Sequence, residues 1–290
     1  MQTSHRQIAA FAEVALHGSF SRAANSMGVT QSSVTQLVAK LEQQVGASLF
    51  ARRRKGLELT PAGWELLELA DRARNLDKLI NEKMAEYEGT ERGSISIIAN
   101  TPRPALQIIA NFAELYPKIH IDITMVNWST AMENLDHRQV DVAIVVEPKL
   151  LNEMTMRELS SSSYIAYMRS EHRLASSKIL NISDLAKERV ILPEDGSLTH
   201  QVFDSCLKKH KLSLEKIIRT ATYPMLKESV LHGAGIGIIL EDSMHPTEQT
   251  VAVPIRELRA KYRTFIVAPK EKSKLRLVKR FFDVASETVC

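Results

Sequence analysis

Residues 19–50 read SFSRAANSMGVTQSSVTQLVAKLEQQVGASLF and contain two apolar repeats of helical spacing, one on each side of a glycine. Glycine tolerates the left-handed backbone of a tight turn, so Gly28 is expected to end the first helix. Thr30 is suited to cap the second helix, because its hydroxyl can accept a hydrogen bond from a first-turn amide. The apolar face of the first helix comprises Phe20, Ala23, Ala24 and Met27, and that of the second comprises Val34, Leu37, Val38, Leu41 and Val45.

The opposite face of the second helix carries amides, hydroxyls and a lysine but no acidic side chain. Its members are Gln31, Ser32, Thr35, Gln36, Ala39, Lys40 and Gln43. Amides and hydroxyls can pair with base edges in the major groove, whereas an acid would be repelled by the DNA phosphates. A further helix, expected over residues 4–17, would give the pair a surface to pack on. The pattern predicts a helix-turn-helix; the alternative is an ordinary helical hairpin with a polar outer face.

A basic segment, ARRRKGLEL, follows at residues 51–59. Four adjacent cations, a glycine and a short alternating strand are typical of the wing of a winged helix. The cations are Arg52, Arg53, Arg54 and Lys55, and they would contact phosphates or enter a narrowed minor groove. A solvated loop is the alternative. Up to Gly63 the chain has seven Lys and Arg against three Asp and Glu, an excess of four that equals the formal net charge of the whole chain, +4.

A long helix is predicted from a Thr60 cap and a first-turn Pro61 to about Tyr87, ahead of the breaker GTERG. Its apolar positions alternate by three and four residues: Leu66, Leu69, Ala73, Leu76 and Ile80. Because most of the remaining surface of this helix is polar, the apolar seam requires a partner. We expect a homodimer joined through this helix, which would present two reading helices to two half-sites. Packing of the seam within its own domain is the alternative.

Composition sets wider bounds on the class of protein. The 290 residues allow one or two domains, and an apolar fraction of 44% is ordinary for a globular protein. The apolar runs are too short to span a membrane and the N-terminus lacks the pattern of a secretory signal, so a cytoplasmic protein is expected. The cysteines, Cys206 and Cys290, have no metal-ligand spacing. A buried free thiol is favoured over a redox role for Cys206.

The segment 11–63 resembles the N-terminal winged helix-turn-helix of the LysR-type transcriptional regulators. The resemblance is carried by GSFSRAA, GVTQS, KLE, LF and LTPAG. It implies a DNA-binding module, a linker helix and a long effector-binding domain, with a homodimer or homotetramer that binds double-stranded DNA and has RNA polymerase as a further candidate partner. One departure concerns the recognition helix, where Thr35 and Gln36 stand at positions that are often Ser followed by Arg or Lys in the family. Without a guanine-reading cation, Gln36 would favour adenine.

Contacts with DNA are expected from the second helix, from the start of the first helix and from the wing. The residues concerned are Ser21, Arg22, Gln31, Ser32, Ser33, Thr35, Gln36, Lys40, Arg52, Arg53 and Arg54.

Beyond residue 93 the pattern changes to alternating strands and helices. Strands are expected at 94–100, 120–127 and 141–146 with helices at 103–116 and 130–138, and a second set has strands at 190–192, 217–222 and 236–239 with helices at 199–210 and 225–231. Such alternation is typical of parallel sheets with right-handed crossovers. Strands at 164–169 and 263–268 would cross between the sets, and a helix at 273–288 would return to the first. Two α/β lobes around a hinged cleft follow, as in the family, whose effector domain resembles a periplasmic binding protein.

The predicted architecture is therefore α/β overall. It has a winged helix-turn-helix domain at 1–63, a dimerising linker helix at 64–89 and a two-lobed effector domain at 90–290. Lobe I would comprise about 94–164 and 266–290, and lobe II about 165–265.

Ligands of such sheets bind beyond the carboxyl ends of the strands, where helix N-termini direct amides inward. Hydroxyls and helix amides suit a carboxylate or phosphonate there, and Arg103 would add a charge-assisted bond. Trp128 would stack on the ligand or face a cation, and Glu147 or Glu194 would receive an amine. An amino acid or another zwitterion is the first candidate effector, and an organic acid is the second. The expected contacts are Asn100, Thr101, Arg103, Trp128, Ser129, Thr130, Glu147, Pro193, Glu194, Ser197, Thr199 and Tyr223.

A ligand-responsive DNA-binding regulator accounts for every segment. An enzyme is not expected, because the sequence shows neither a nucleophile with its base nor a metal cluster, and no cofactor is implied. The run HGAGIG at 232–237 resembles a dinucleotide fingerprint, but it follows a helix and precedes a strand, which is the reverse of the required order. Close packing between the lobes is expected for these glycines instead. An architectural DNA-binding protein without an effector, or an enzyme with an accessory DNA-binding domain, are the alternatives.

Overall fold

The computed structural model describes residues 3–53, 56–87, 93–149, 153–244 and 247–288. Its contacts divide the chain into two compact units, and the first contains residues 1–90. In chain order this unit has helices α1 (His5–His17), α2 (Phe20–Met27) and α3 (Gln31–Val45), strands β1 (Phe50–Arg53) and β2 (Gly56–Leu59), and helix α4 (Pro61–Tyr87). The winged helix-turn-helix and the long helix are therefore confirmed.

Local chemistry accounts for the ends of these helices. The Thr30 hydroxyl accepts a hydrogen bond from the Ser33 amide at 3.3 Å, as expected of a cap. Gly28 has φ +65°, a left-handed conformation that glycine adopts without steric cost. The apolar faces of the three helices then meet in one core, in which Phe50 from the wing packs on Phe11 and Phe20 with ring centroids 5.4 and 5.8 Å away.

Helix α4 packs on this core along one face and leaves another face open. Leu67 and Ala70 are buried. Glycine at position 63 allows α4 to approach the backbone of Leu49 closely, because a Cβ at this position would lie 2.2 Å from the Leu49 carbonyl oxygen. The opposite face exposes four large apolar side chains: Leu69 (59% exposed), Leu76 (58%), Ile80 (49%) and Met84 (56%). Leu66, the first residue of the predicted apolar seam, is half-buried against the domain core. The exposed apolar face therefore begins at Leu69 and extends to Met84.

The second unit contains most of the remaining chain, in two lobes. Its elements in chain order are β3 (Gly93–Ala99), α5 (Pro102–Leu115), β4 (Ile119–Met125), α6 (Trp128–Asp136), β5 (Val142–Val146), β6 (Met154–Ser162), β7 (Tyr164–Arg169), α7 (Ile182–Ala186), β8 (Arg189–Pro193), α8 (Leu198–Lys209), β9 (Lys216–Thr220), α9 (Tyr223–Leu231), β10 (Ile236–Leu240), β11 (Thr250–Pro254), β12 (Tyr262–Pro269) and α10 (Arg276–Thr288).

Each lobe is built on a five-stranded sheet. The order is β4-β3-β5-β12-β6 in lobe I and β11-β7-β10-β8-β9 in lobe II. Strands β3, β4 and β5 are parallel to one another, as are β8, β9 and β10, whereas β12 and β7 run antiparallel to their neighbours. The chain crosses from lobe I to lobe II between β6 and β7, and returns between β11 and β12. The two-lobed α/β class with a double crossover is therefore confirmed.

In the second unit the sequence pattern missed two strands and one α-helix, and one lobe boundary differs. Strands β6 and β11 lie at sheet edges. Polar side chains interrupt the apolar pattern of β6, and β11 and α7 have only five residues each. Strand β12 pairs with β6 from Tyr262 onward, so lobe I resumes there rather than near residue 266. Gly237 lies against Leu226, with a built Cβ 2.6 Å from its Cδ2, so this glycine serves packing within lobe II rather than between lobes.

A buried ion pair lies within lobe I. Lys272 and Asp141 are 1% and 2% exposed, and Lys272 Nζ lies 3.5 Å from Asp141 Oδ1. Nζ also donates to the Val140 carbonyl at 2.9 Å, while Asp141 Oδ2 accepts from the amide and hydroxyl of Ser96, each at 3.0 Å. These bonds join the turn before α10 to β3 and to the start of β5.

Candidate nucleic-acid interface and effector cavity

The outer face of α3 is polar and exposed along its length, as the sequence predicts. All six residues of α3 expected at DNA are exposed: Gln31, Ser32, Ser33, Thr35, Gln36 and Lys40. Ser21 and Arg22, at the start of α2, are exposed as well. The structure therefore brings these side chains to one surface.

Hydrogen bonds already engage several of these side chains. The Ser21 hydroxyl donates to Gln31 Oε1 at 2.6 Å, and the Thr35 hydroxyl donates to the Gln31 carbonyl at 2.9 Å. Ser32 and Ser33 both hydrogen-bond the Thr30 hydroxyl at the helix cap. Among the described residues, Gln36 and Lys40 have no partner. They are therefore the side chains of this face that are most available to a base edge or a phosphate.

The wing follows α3 directly. Glu42 near the end of α3 accepts from the amides of Leu49 and Phe50 at 2.7 and 3.3 Å, which fixes the start of β1 against that helix. Arg52 and Arg53 lie in β1, paired with Leu57 and Gly56 of β2. The expected contact Arg54 lies outside the described residues, and so does Lys55.

A cavity of about 90 Å³ lies between the two lobes of the second unit. It is bordered by the carboxyl ends of β3, β5, β8, β9 and β10 and by the N-termini of α5, α6, α8 and α9. Eight of the residues expected at the effector line it: Asn100, Thr101, Trp128, Pro193, Glu194, Ser197, Thr199 and Tyr223.

Four of the expected effector residues do not line this cavity. Arg103 is exposed, and its guanidinium donates to the Met244 carbonyl at 2.9 Å. Glu147 accepts from the backbone amide and Nε of Arg263 in β12, at 2.8 and 3.3 Å. Ser129 and Thr130 lie in the first turn of α6, because this helix begins at Trp128 and not at residue 130. Ser129 is exposed, and the Thr130 amide donates to Asn127 Oδ1 at 2.7 Å.

Buried hydroxyls form much of the cavity wall. The Thr199 hydroxyl donates to the Tyr164 phenol oxygen at 3.2 Å, and Tyr223 donates to the Ser243 carbonyl. Burial raises the pKa of both Tyr164 and Tyr223 above the ordinary value, so both phenols are neutral at physiological pH. Thr101 of lobe I and Ser243 share a hydroxyl–hydroxyl bond of 2.8 Å.

Two polar atoms in the cavity wall are buried and lack any hydrogen-bond partner among the described residues. They are Glu194 Oε1, after β8, and Thr220 Oγ1, at the end of β9. Buried polar atoms are nearly always paired in folded proteins, so two unpaired ones in a single cavity indicate that a ligand or water completes them.

The two lobes are also joined next to the cavity. Asp242, in the short 3₁₀ turn after β10, accepts from the Ser160 hydroxyl of β6 at 2.6 Å and from the Thr264 hydroxyl of β12 at 3.4 Å. With the Thr101–Ser243 bond, this network ties the turn to lobe I. Four hydroxyls and one carboxylate thus connect the cavity wall with strands β6 and β12.

Sequence reasoning missed Tyr164, Thr220, Thr222 and Ser243 as cavity residues. Thr220 ends β9 and Thr222 follows it, and Ser243 follows β10. The rule that ligands bind beyond the carboxyl ends of parallel strands, applied to these two strands as well, would have found them. Tyr164 lies at the crossover, and its position depends on the pairing of both sheets.

Comparison with known families agrees with this geometry. A family model described as "Bacterial regulatory helix-turn-helix protein, lysR family" matches residues 5–64, and one described as "LysR substrate binding domain" matches residues 88–289. The chain belongs to the LysR family of transcriptional regulators. It is 29% identical over 236 residues to the HTH-type transcriptional regulator CfxR of Cupriavidus necator, covering 81% of this regulator and 74% of that relative.

Solved structures share the fold. The crystal structure of full-length CbnR complexed with its target DNA has a TM-score of 0.62 and 20% identity, and the match covers 98% of this regulator and 99% of that chain. The regulatory domain of CcmR from Synechocystis PCC6803, in complex with 2-PG, has a TM-score of 0.59 and 18% identity over 68% of this regulator and 97% of that chain. At these identities the likeness establishes the fold alone.

Two further observations concern sites of other kinds. In the described part of the regulator, no group of three or more His, Cys, Asp or Glu side chains is arranged to hold a metal ion. The described helices include none with the length and apolar character needed to cross a membrane.

Proposed function

We propose that this LysR-type regulator reads operator DNA with the outer face of α3 and changes its DNA binding when a small polar metabolite occupies the cavity between the lobes. The observation that carries the proposal is a partly unsatisfied polar cavity lined from both lobes, in a chain that also presents an exposed, acid-free reading face. An architectural DNA-binding protein would need the second of these features but not the first.

On the DNA, Gln36 is proposed as the principal base-reading residue. Its side chain is exposed and without a partner among the described residues, and a glutamine can form a bidentate pair with adenine. Lys40, Arg22 and the wing arginines Arg52, Arg53 and Arg54 are proposed as phosphate contacts, which add affinity without sequence preference.

The proposed effector is an amino acid or another zwitterion, with an organic acid as the second candidate. Hydroxyl and amide groups dominate the polar wall of the cavity, which suits a polar ligand. A cavity of about 90 Å³ holds roughly six to nine water-sized groups, which corresponds to a small metabolite.

The proposed assembly is a homodimer joined through the exposed face of α4, with a homotetramer as the larger form and RNA polymerase as a further partner. Four large apolar side chains on one face of a single helix are unusual on a monomer surface. A dimer of this kind would supply one reading helix to each half-site.

The effector would act by population shift. A ligand that binds the closed lobes more tightly than the open lobes favours the closed form by its differential affinity alone. A coupling of about 1–3 kcal/mol, typical of allosteric proteins, would change DNA binding or bending several-fold or more.

Mobility-shift titrations of the full-length regulator test the proposal. The intergenic DNA upstream of its own gene is compared with a shuffled duplex of equal length at moderate salt, with and without a metabolite library. We expect at least roughly a thousandfold preference for the upstream DNA, altered by one metabolite class. Equal affinity for both duplexes would contradict the reading face, and a preference that no metabolite alters would favour the architectural alternative.

A further inference from the structure

We infer that the cavity between the lobes is built for a ligand that carries a protonated amine, with the Glu194 carboxylate and the Thr220 hydroxyl as the partners of that amine. The inference rests on the proposed function and narrows its effector to one chemical class. It separates the zwitterion from the plain organic acid, which the sequence left as alternatives.

The first argument is that each of these two side chains has a buried polar atom without a hydrogen-bond partner among the described residues. Glu194 Oε1 and Thr220 Oγ1 are both buried without a partner among the described residues, and Thr220 is only 7% exposed. A buried carboxylate oxygen without a donor carries the full cost of its desolvation. An ammonium group has three donors and a positive charge, so it would satisfy both atoms at once.

The second argument is the charge of the cavity. Among the described lining residues, Glu194 is the only one with a carboxyl group, and lysine, arginine and histidine are all missing. Arg103 is not among the lining residues, and its guanidinium donates to the Met244 carbonyl. A plain carboxylate or phosphate ligand would therefore bring a second negative charge into a partly buried site whose described lining residues include no cation, which is costly.

The third argument is the reduced supply of free amides at the helix N-termini around the cavity. The Ser197 hydroxyl accepts from the His200 amide of α8, and Asn127 accepts from the Thr130 amide of α6. Helices α5 and α9 have prolines in the first turn, Pro102, Pro104 and Pro224, and proline has no amide hydrogen. These bonds and prolines remove five first-turn amides as donors to an anion, so the helix ends hold an anion less well than four unmodified N-termini would.

The remaining polar groups suit the other end of a zwitterion. Asn100 Oδ1 accepts from the Val146 amide at 3.2 Å, which leaves its NH₂ group as a neutral donor on the lobe I side of the cavity. An amino acid would place its ammonium at Glu194 in lobe II and its carboxylate toward lobe I. Such a ligand would bridge both lobes, which is what closure requires.

The test measures binding to the full-length regulator by calorimetry and thermal shift, using ligand pairs that differ mainly in the amine: L-alanine with L-lactate, L-serine with L-glycerate, and L-threonine with the 2,3-dihydroxybutyrate of the same configuration. Putrescine is added as an amine without a carboxylate, and phosphoglycolate is added as an acid without an amine. We expect at least one amine to bind, and its amine-free counterpart to bind roughly ten- to a hundredfold more weakly, the usual range for a hydrogen bond to a charged group.

Two variants examine the partners directly. Glu194→Gln keeps the shape of the side chain but removes its carboxylate, and it should weaken binding of the amine ligand roughly ten- to a hundredfold. Thr220→Val should also weaken binding of that ligand, but by less. Glu228→Gln, an exposed carboxylate on α9 that lies 3.9 Å from His232, is the control and should leave binding unchanged.

Tight binding of an amine-free acid, unchanged amine affinity in Glu194→Gln, or no binding by any amine would each overturn the inference. The same ligands added to the mobility-shift assay keep the two proposals apart. If an acid binds and alters DNA retention, the regulator remains effector-responsive and only the amine assignment fails.

Discussion

Replacing Leu76 and Ile80 on α4 by serine is expected to convert the proposed dimer into monomers. The two side chains are 58% and 49% exposed in the single chain, so about half of each is still available for burial. Full burial of a large aliphatic side chain contributes roughly 1.5–3 kcal/mol, so the remaining half contributes about 0.75–1.5 kcal/mol for each side chain. Four such side chains, two from each protomer, amount to about 3–6 kcal/mol.

This loss would raise the dimer dissociation constant by roughly two to four orders of magnitude. Sedimentation velocity of Leu76→Ser/Ile80→Ser from nanomolar to micromolar concentrations measures the effect directly. Binding to a two-half-site operator should weaken in parallel, because the two reading helices are no longer linked.

The matched control is Leu106→Ser/Leu115→Ser on α5. These leucines are 52% and 57% exposed but lie outside α4, so the control should sediment as the unmodified protein does. If the α4 variant is folded by circular dichroism and remains a dimer at nanomolar concentration, or if the control dissociates equally, the dimer interface lies elsewhere.

Three further predictions concern DNA recognition and stability. Gln36→Ala should cost about 1–3 kcal/mol of DNA-binding free energy at one adenine-containing base pair and little at other positions, as measured by mobility shift on single-substitution operators. Gln107→Ala, at an exposed position on α5, is the control, and an equal loss of affinity for all operators would contradict base reading. Arg52→Ala/Arg53→Ala should weaken binding to every sequence and reduce the salt dependence by about two units of slope, and an unchanged slope would exclude phosphate contacts. Lys272→Met should lower the free energy of unfolding by about 3–5 kcal/mol in chemical denaturation, because it leaves Asp141 buried without its cationic partner. The double variant Lys272→Met/Asp141→Leu should recover part of that loss, and equal losses in both variants would mean that packing and not charge is responsible.

The DNA-binding half was largely predictable from the sequence because its determinants are local. The Thr30 cap and the Gly28 turn act within three or four residues, and the polar face of α3 follows from helical spacing alone. The side chains that touch each other on that face were not predictable. The bond from Ser21 to Gln31 joins two helices, and its geometry depends on how they pack.

The effector half was predictable as a set of strands and helices but not as a cavity. The strand-end rule found Glu194 and Glu147 as equivalent candidates, because both follow a buried strand. The structure separates them: Glu147 has φ +40° and bonds Arg263, which is 116 residues away in the chain, while Glu194 borders the cavity.

From the sequence by itself come the family resemblance, the order of the elements, the reading face and the apolar face of α4, since each depends on periodicity or on contacts between near neighbours. The tertiary structure alone decided which polar groups remain unpaired where the lobes meet. Whether a carboxylate finds a donor depends on strands brought together from distant parts of the chain, and residue spacing along one strand or helix does not contain that information.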